Sequence, residues 1–118
     1  MRRGEIYYAD LGKNRGSEQN GIRLVCIVQN DAGNIYSSTT IICPLTSQLK
    51  PYLPTHIELK EGLPKKSVLL AEQIRVVDKH RIFDEKPVYK LTEEEMDKVE
   101  KAINISLGLL SKRINNEK

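Results

Sequence analysis

Residues 39 to 45 read Thr39-Thr40-Ile41-Ile42-Cys43-Pro44-Leu45, an apolar run rich in β-branched side chains. A similar run, Arg23-Leu24-Val25-Cys26-Ile27-Val28-Gln29, precedes it in the chain. Short runs of this kind are typical of central strands that are buried on both faces of a sheet. The two runs therefore predict the middle of a β-sheet.

Further strand-like segments flank this central pair. Residues 5–11 mix alternation with β-favouring tyrosines, and residues 55–59 alternate strictly between apolar and polar side chains. Residues 67–70 begin another strand, which we expect to continue into residues 72–77. The sheet is thus predicted to contain at least five strands.

Two polar segments separate the first three strands. Residues 12–21 form a ten-residue segment with three glycines, and residues 30–34 are a cluster of Asn, Asp, Ala and Gly that is typical of a turn. Connections as long as the first are more often functional than merely structural.

The last third of the chain predicts one amphipathic helix, beginning after Thr92. Thr92 and Glu95 have the spacing of a capping box, and acidic side chains occupy the first turn. One helix face carries Met96, Val99, Ile103, Ser106, Leu107 and Leu110, and Ala102, Ile105 and Leu109 widen it. This face is expected to pack on the sheet; its width leaves open whether it also contacts a partner subunit.

Short strands followed by one long helix predict an α+β fold that is mainly β. We expect a small open barrel of twisted antiparallel strands, covered by the helix. The length of 118 residues fits a single domain over residues 1–111, followed by a short flexible tail over residues 112–118. No apolar run approaches the ~18 residues of a membrane span, and none follows the N-terminal charges, so we expect a cytoplasmic protein.

The charge distribution permits contact with phosphates without requiring it. The net charge is +3. Residues 92–110 carry a net −3, residues 111–118 carry +2, and residues 1–91 therefore carry +4. A modestly basic body beside an acidic helix suits a nucleic-acid partner, and it also suits a solvated surface of mixed charge.

No metal or cofactor motif is recognisable in the sequence. Cys26 and Cys43 lie inside apolar runs, and His56 and His80 are isolated from other ligand types. Nucleotide-binding loops and nucleophile elbows are also missing from the sequence. Any catalysis is therefore expected to depend on Arg, Thr, Ser, Gln or an isolated Glu or His.

Polar side chains at strand ends are the candidates for such chemistry. Arg23 follows the glycine-rich segment at the mouth of an apolar strand, where its guanidinium suits a phosphate oxygen or a surface salt bridge. Thr46-Ser47-Gln48 follows the strand that ends at Leu45, and it either reads phosphates and bases or opens a turn. Glu72-Gln73-Ile74-Arg75 either pairs within the sheet or lines a groove.

Seven blocks occur in the chain in an order that is specific when taken together. They are Arg3-Gly4-Glu5-Ile6-Tyr7, Gly16-Ser17-Glu18-Gln19-Asn20-Gly21-Ile22-Arg23, Val28-Gln29-Asn30-Asp31, Leu45-Thr46-Ser47, Pro54-Thr55-His56-Ile57, Ser67-Val68-Leu69-Leu70-Ala71-Glu72-Gln73-Ile74-Arg75 and Val77-Asp78-Lys79-His80-Arg81-Ile82. From residue 2 to about residue 110, the chain resembles the MazF/PemK toxin family.

This resemblance implies a homodimer with an SH3-like barrel core that is the toxin half of a toxin–antitoxin pair. It implies sequence-specific cleavage of single-stranded RNA, without metal or cofactor, to a 2′,3′-cyclic phosphate and a 5′-hydroxyl. The family's catalytic arginine and threonine correspond to Arg23 and Thr46, and residues 16–21 correspond to the loop that contacts substrate. The implied antitoxin binds through an acidic, flexible tail, and any contact with DNA is made only through that antitoxin.

Recognition of RNA bases is expected to use hydrogen bonds more than stacking, because the chain has five Tyr, one Phe and no Trp. Glu18 is also a candidate for the general base, a role that the sequence leaves open. The RNA-binding candidates are Ser17, Glu18, Gln19, Ser47, Gln48, Gln73 and Arg75.

Two other functions stay open, one of them because the chain departs from the family pattern. The family usually has proline after its arginine, and this chain has Leu24, which we expect to hold Arg23 less firmly. An RNA-binding module without turnover is therefore one alternative. A non-enzymatic gyrase inhibitor of the CcdB type is another, although such toxins place their function on the C-terminal helix.

Overall fold

The computed structural model describes residues 1–48, 50–59 and 61–109. Two α-helices, α1 (Asp31–Tyr36) and α2 (Glu93–Leu107), and two 3-10 turns, Ala71–Gln73 and Lys79–Arg81, accompany the strands. The strands are β1 (Glu5–Asp10), β2 (Ile22–Ile27), β3 (Thr39–Thr46), β4 (His56–Leu59), β5 (Ser67–Leu70), β6 (Arg75–Asp78), β7 (Ile82–Phe83) and β8 (Tyr89–Lys90). The tail predicted over 112–118 and the predicted helix residue Leu110 lie outside the described residues.

All of the strand pairs are antiparallel, and the sheet follows the order β4-β5-β3-β2-β1-β7. Strand β6 also pairs with β3, and β8 also pairs with β1. The two apolar runs of the sequence thus form neighbouring strands in the middle of a curled sheet. The predicted class, α+β and mainly β with a barrel-like sheet and a C-terminal helix, is confirmed.

Both faces of the central strands are buried. On one face Cys26, Cys43 and Leu69 pack with Val99 and Ala102 of helix α2. On the other face the buried residues are Tyr7, Ala9, Leu11, Val25, Ile27, Ile42, Val77 and Ile82. The two free cysteines lie directly opposite each other in the β2–β3 ladder, and burial raises the pKa of both thiols.

Strand β3 has two different neighbours along one edge. Residues 39–42 pair with β6, whereas Leu45 and Thr46 pair with β5. Pro44 lies at the change from one neighbour to the other, and its backbone opposes Val25 of β2 on the other edge. Proline has no N–H to donate to a ladder, so this gap between two partners is a position that tolerates it.

Two predictions of local structure were wrong. Residues 30–34 form the start of helix α1 rather than a simple turn, because the Asn30 side chain caps the helix by accepting a hydrogen bond from Gly33 N at 2.8 Å. Residues 72–77 are not one strand, because the Ala71–Gln73 turn separates β5 from β6. The pairing of β3 with β6 is offset by three residues from its pairing with β5, and the turn takes up that offset.

Helix α2 covers the sheet over most of its length. Val99 and Ala102 are buried, and Ser106 Oγ donates a hydrogen bond to Ala71 O at 3.0 Å. Leu107, predicted to lie on the packing face, is 53% exposed, so the sheet does not cover the final turn. Within the described residues, neither helix has the length and apolar character that crossing a membrane requires.

The capping box is expected to contribute measurably to stability. Thr92 Oγ1 accepts a hydrogen bond from Glu95 N at 3.1 Å, and Glu95 Oε1 accepts one from Thr92 N at 2.9 Å. Replacing Thr92 by Ala should lower the free energy of unfolding in urea by about 1 kcal/mol, because Glu95 N loses its partner. Thr92→Ser keeps the acceptor and should lose much less; equal losses for Ala and Ser would contradict this explanation.

Candidate functional site

Arg23 and Thr46 lie at the same end of the β2–β3 ladder. The last pair of this ladder is Val25 with Pro44, and Arg23 and Thr46 each lie two residues beyond it. Both residues line one cavity of about 200 Å³. We call it the Arg23 cavity, and its wall is formed by Tyr8, Ile22, Arg23, Leu24, Leu45, Thr46, Ser47, Pro64, Lys65 and Ser67.

The guanidinium of Arg23 is only partly engaged by the protein. Its Nε donates a hydrogen bond to Asn20 O at 2.9 Å, and it forms no ion pair with a carboxylate in the described part of the chain. The alternative of a surface salt bridge at Arg23 thus finds no partner among the described residues. Leu24 does not interrupt the strand here, since Arg23 pairs with Ala9 and Leu24 pairs with Tyr8 in the β1–β2 ladder.

The hydroxyl of Thr46 takes part in the turn that follows strand β3. Thr46 is 3% exposed, and its Oγ1 accepts a hydrogen bond from Gln48 N at 3.2 Å, which shapes the turn after β3. A hydroxyl that accepts one hydrogen bond still has its own proton to donate. Thr46 can therefore hold the turn and donate to an anion in the cavity at the same time.

The segment between β1 and β2 is an organised loop. Its base is closed by Leu11 N donating to Gly21 O and by Gly21 N donating to Gly12 O, both at 2.8 Å. Inside it, Asn14 Nδ2 donates to Leu11 O at 3.2 Å and to Gln19 O at 2.6 Å. The role of Asn14 was missed from the sequence, because one Asn among ten polar residues carries no distinguishing signal.

Gln73 holds this loop from the opposite side of the site. Its Oε1 accepts a hydrogen bond from Gln19 N at 3.0 Å, and its Nε2 donates one to Ser17 O at 3.1 Å. Both ends of the carboxamide are thus used by the backbone of the loop. Gln73 shapes the site in this way, and direct contact of its side chain with RNA stays a prediction.

Glu72, in the 3-10 turn Ala71–Gln73, anchors that turn to the start of strand β4. Its carboxylate accepts hydrogen bonds from Thr55 Oγ1 and His56 Nε2, each at 2.9 Å. The other ring nitrogen of His56 lies 3.0 Å from Pro51 O. Burial acts to raise the pKa of Glu72, but the hydrogen bonds from His56, the backbone and Thr55 outweigh it and hold that pKa below its ordinary value.

Three adjoining cavities bring all of the predicted site residues together. The loop cavity, of about 210 Å³, shares Arg23 with the Arg23 cavity and is lined by Gly16, Ser17, Glu18, Gln19, Asn20, Arg23, Gln48 and Lys50. The Arg75 cavity, of about 400 Å³, shares Glu18 and Gln19 with the loop cavity and is lined by Leu11, Asn14, Glu18, Gln19, Pro44, Glu72, Gln73, Ile74 and Arg75. The roles assigned to these residues stay predictions.

The chemistry of the cavity walls favours an anion at Arg23. Two cations, Arg23 and Lys65, line the Arg23 cavity, whereas its described lining includes no carboxylate. In the part of the chain that the structure describes, no three side chains of His, Cys, Asp or Glu form a metal-binding cluster. Lys50 and Lys65 were missed from the sequence, where neither lysine has a distinguishing local signal.

Loss of the Gln73 side-chain hydrogen bonds should release the loop. We expect Gln73→Leu to speed hydrogen exchange at the Gln19 amide about tenfold or more, since each bond contributes about 1 kcal/mol. Gln73→Glu keeps the acceptor for Gln19 N and should show a smaller increase. The amide of Leu69 in the core is the internal control, and unchanged exchange at Gln19 in the Leu variant would contradict the role given to Gln73.

Comparisons with known proteins agree with this geometry. A family model described as PemK-like, MazF-like toxin of type II toxin-antitoxin system matches residues 2–107. The chain is 46% identical over 114 residues to Endoribonuclease EndoA of Bacillus subtilis, covering 93% of this chain and 97% of that protein. It is 50% identical over 113 residues to Endoribonuclease MazF of Staphylococcus saprophyticus, covering 92% of each.

Solved structures show the same fold. An endoribonuclease in complex with its cognate antitoxin, from a mycobacterial species, superposes with a TM-score of 0.77 at 25% identity, covering 92% of this chain and 96% of that one. MazF from Deinococcus radiodurans superposes with a TM-score of 0.79 at 24% identity over the same shares. The resemblance read from the seven blocks is confirmed, and the chain belongs to the PemK-like, MazF-like toxin family of type II toxin–antitoxin systems.

Proposed function

We propose that this toxin is an endoribonuclease that cleaves single-stranded RNA at specific sequences. The observation that carries the proposal is the guanidinium of Arg23, which has no carboxylate partner in the described chain and shares a cavity with the Thr46 hydroxyl. The names of the relatives support the same activity. Arg23 and Thr46 are the proposed catalytic residues.

The proposed reaction is an internal transfer at phosphorus. The ribose 2′-hydroxyl attacks the adjacent phosphorus, the bond to the 5′-oxygen breaks, and the products are a 2′,3′-cyclic phosphate and a 5′-hydroxyl. One proton leaves the 2′-oxygen and another reaches the departing 5′-oxygen. Because the nucleophile is already held beside the phosphate, the proposal includes neither a metal nor a cofactor.

Each proposed catalytic side chain matches one requirement of this reaction. Arg23 stabilises negative charge on the phosphoryl oxygens and can donate a proton to the leaving oxygen. Thr46 donates a hydrogen bond to a phosphoryl oxygen. Glu18 lines the loop cavity beside Arg23 and is the candidate for accepting the 2′ proton.

Sequence specificity is proposed to come from polar side chains along the three cavities. Splayed bases present edges that such groups read by hydrogen bonding. Gln73 contributes through the loop that it holds, and a direct contact of its side chain with RNA is also proposed. The proposed RNA-binding residues are Ser17, Glu18, Gln19, Ser47, Gln48, Gln73 and Arg75.

We also infer the partners of the toxin. The toxin is proposed to be a cytoplasmic protein and a homodimer. The dimer is supported by apolar side chains that the single chain leaves exposed at the end of α2: Ile105, Leu107 and Leu109. An antitoxin with an acidic, flexible tail complements the +4 charge of residues 1–91. Contact with DNA is proposed only through that antitoxin.

Cleavage should require the 2′-hydroxyl at the cut. Purified protein incubated with a long RNA should give discrete fragments in EDTA, and an oligonucleotide with one 2′-deoxy nucleotide at the mapped cut should stay intact because it lacks the nucleophile. Cleavage of the deoxy substrate would overturn the mechanism. A mobility shift without fragments would favour an RNA-binding module, and inhibition of gyrase alone would favour a gyrase poison.

Removal of the Arg23 guanidinium should abolish most of the activity. We expect Arg23→Ala to lower kcat by about 100-fold or more, the usual cost of losing a preorganised charge-stabilising donor. Sequencing of the RNA ends that wild type and variant produce from a mixed RNA pool maps the cut, and kcat is then measured on an oligonucleotide that carries the mapped sequence. Arg2, an exposed arginine that lines none of the three cavities, provides the matched control. Equal losses in Arg2→Ala and Arg23→Ala would remove Arg23 from the chemistry.

A further inference from the structure

A second cation shares the wall of the Arg23 cavity. Lys65 follows Pro64 and comes just before strand β5. Ser67, which is 3% exposed, donates a hydrogen bond from Oγ to Lys65 O at 3.0 Å. This bond fixes the backbone of Lys65 at the rim of the cavity, although its side chain remains free to reach a ligand.

The charge of Lys65 is not neutralised by the described protein. Lys66, the next residue, forms an ion pair with Glu58 at 4.0 Å and lines none of the three cavities. Lys65 forms no ion pair with a described carboxylate, and no carboxylate joins it in the described cavity wall. The two adjacent lysines thus differ in their surroundings. Of the two, only Lys65 lines the Arg23 cavity with an ammonium group that has no described carboxylate partner.

A third cation lies on the other side of Arg23. The loop cavity shares Arg23 with the Arg23 cavity, and Lys50 lines it together with Gln48. Lys50 also forms no ion pair within the described ranges. The chain after Thr46 passes from one cavity to the other, so Lys65, Arg23 and Lys50 line two spaces with a common wall.

We propose that the RNA strand passes from the Arg23 cavity into the loop cavity, with Lys65 and Lys50 each binding a phosphate beside the one held at Arg23. This proposal rests on the proposed function and deepens it, because it assigns the path of the backbone and two phosphate-binding residues. A strand with its cleaved phosphate at Arg23 carries a phosphate on each side of it. Contacts of this kind position a nucleic acid without reading its sequence.

Binding of the phosphates by Lys65 and Lys50 has a signature in salt dependence. Each phosphate that a protein neutralises on a single strand adds about 0.7 to the slope of log Kd against log salt concentration, because counterions are released. Loss of one such lysine should therefore lower the slope by about 0.7, and loss of both by about 1.4. Because the proposal places both lysines on the flanking phosphates and not on the cleaved one, the loss should fall on KM rather than on kcat.

The test measures binding of a fluorescent RNA oligonucleotide that carries the mapped cleavage sequence with a 2′-deoxy nucleotide at the cut. Kd is measured over a range of salt concentrations for wild type, Lys65→Gln, Lys50→Gln and the double variant. Lys66→Gln is the matched control and should leave the slope unchanged. Lys65→Arg keeps the charge and should retain the wild-type slope, because the slope depends on the number of phosphates that the protein neutralises.

The outcomes separate this proposal from the proposed function. Cleavage by wild type combined with an unchanged slope in Lys65→Gln and Lys50→Gln overturns the phosphate path and leaves the nuclease standing. An equal fall in slope for Lys66→Gln also overturns it, because the effect is then one of overall charge. If wild type cleaves no RNA at all, the proposed function fails and the path fails with it.

Discussion

The arrangement of this site depends on one edge of strand β3, where two partner strands meet opposite a proline. Strands β5 and β6 pair with the same edge, three residues out of register, and Pro44 lies between the two paired segments. With no N–H to offer, Pro44 leaves that stretch of edge without a donor, and the 3-10 turn Ala71–Gln73 occupies the offset. The turn carries Glu72 and Gln73 out of the ladder, where their side chains hold other segments.

From this turn the order of the site can be followed outward. Gln73 holds the backbone of the glycine-rich loop, and a carbonyl near the end of that loop accepts the Nε hydrogen of Arg23. The β2–β3 ladder ends two residues before each of Arg23 and Thr46, which line the same cavity. The position of the guanidinium thus depends on the loop, the loop on the 3-10 turn, and the turn on the register of the sheet. The site is therefore ordered before any ligand arrives, and little conformational entropy is left to lose on binding.

The parts of the fold that could be predicted are those with a local signal. Apolar, β-branched runs identify β2 and β3, and the spacing of Thr92 and Glu95 identifies the start of α2. Asn30 suits a turn and a helix cap equally well, so α1 was missed, and the 3-10 turn follows from a register offset that no local pattern contains. Arg23 and Thr46 stood out as polar residues at strand ends, whereas nothing local separates Lys65 from Lys66, since only folding gives one a carboxylate and the other a cavity.

The hydrogen bonds of Gln73 reach only main-chain atoms of the loop, and this has a consequence for how such toxins diverge. The path of residues 17–19 is set by a carbonyl and an amide that every substitution except proline retains. Side chains at these three positions can therefore be exchanged through evolution without rebuilding the loop that presents them. A new ligand preference can therefore arise by single substitutions at these positions, while the backbone of the loop stays constant.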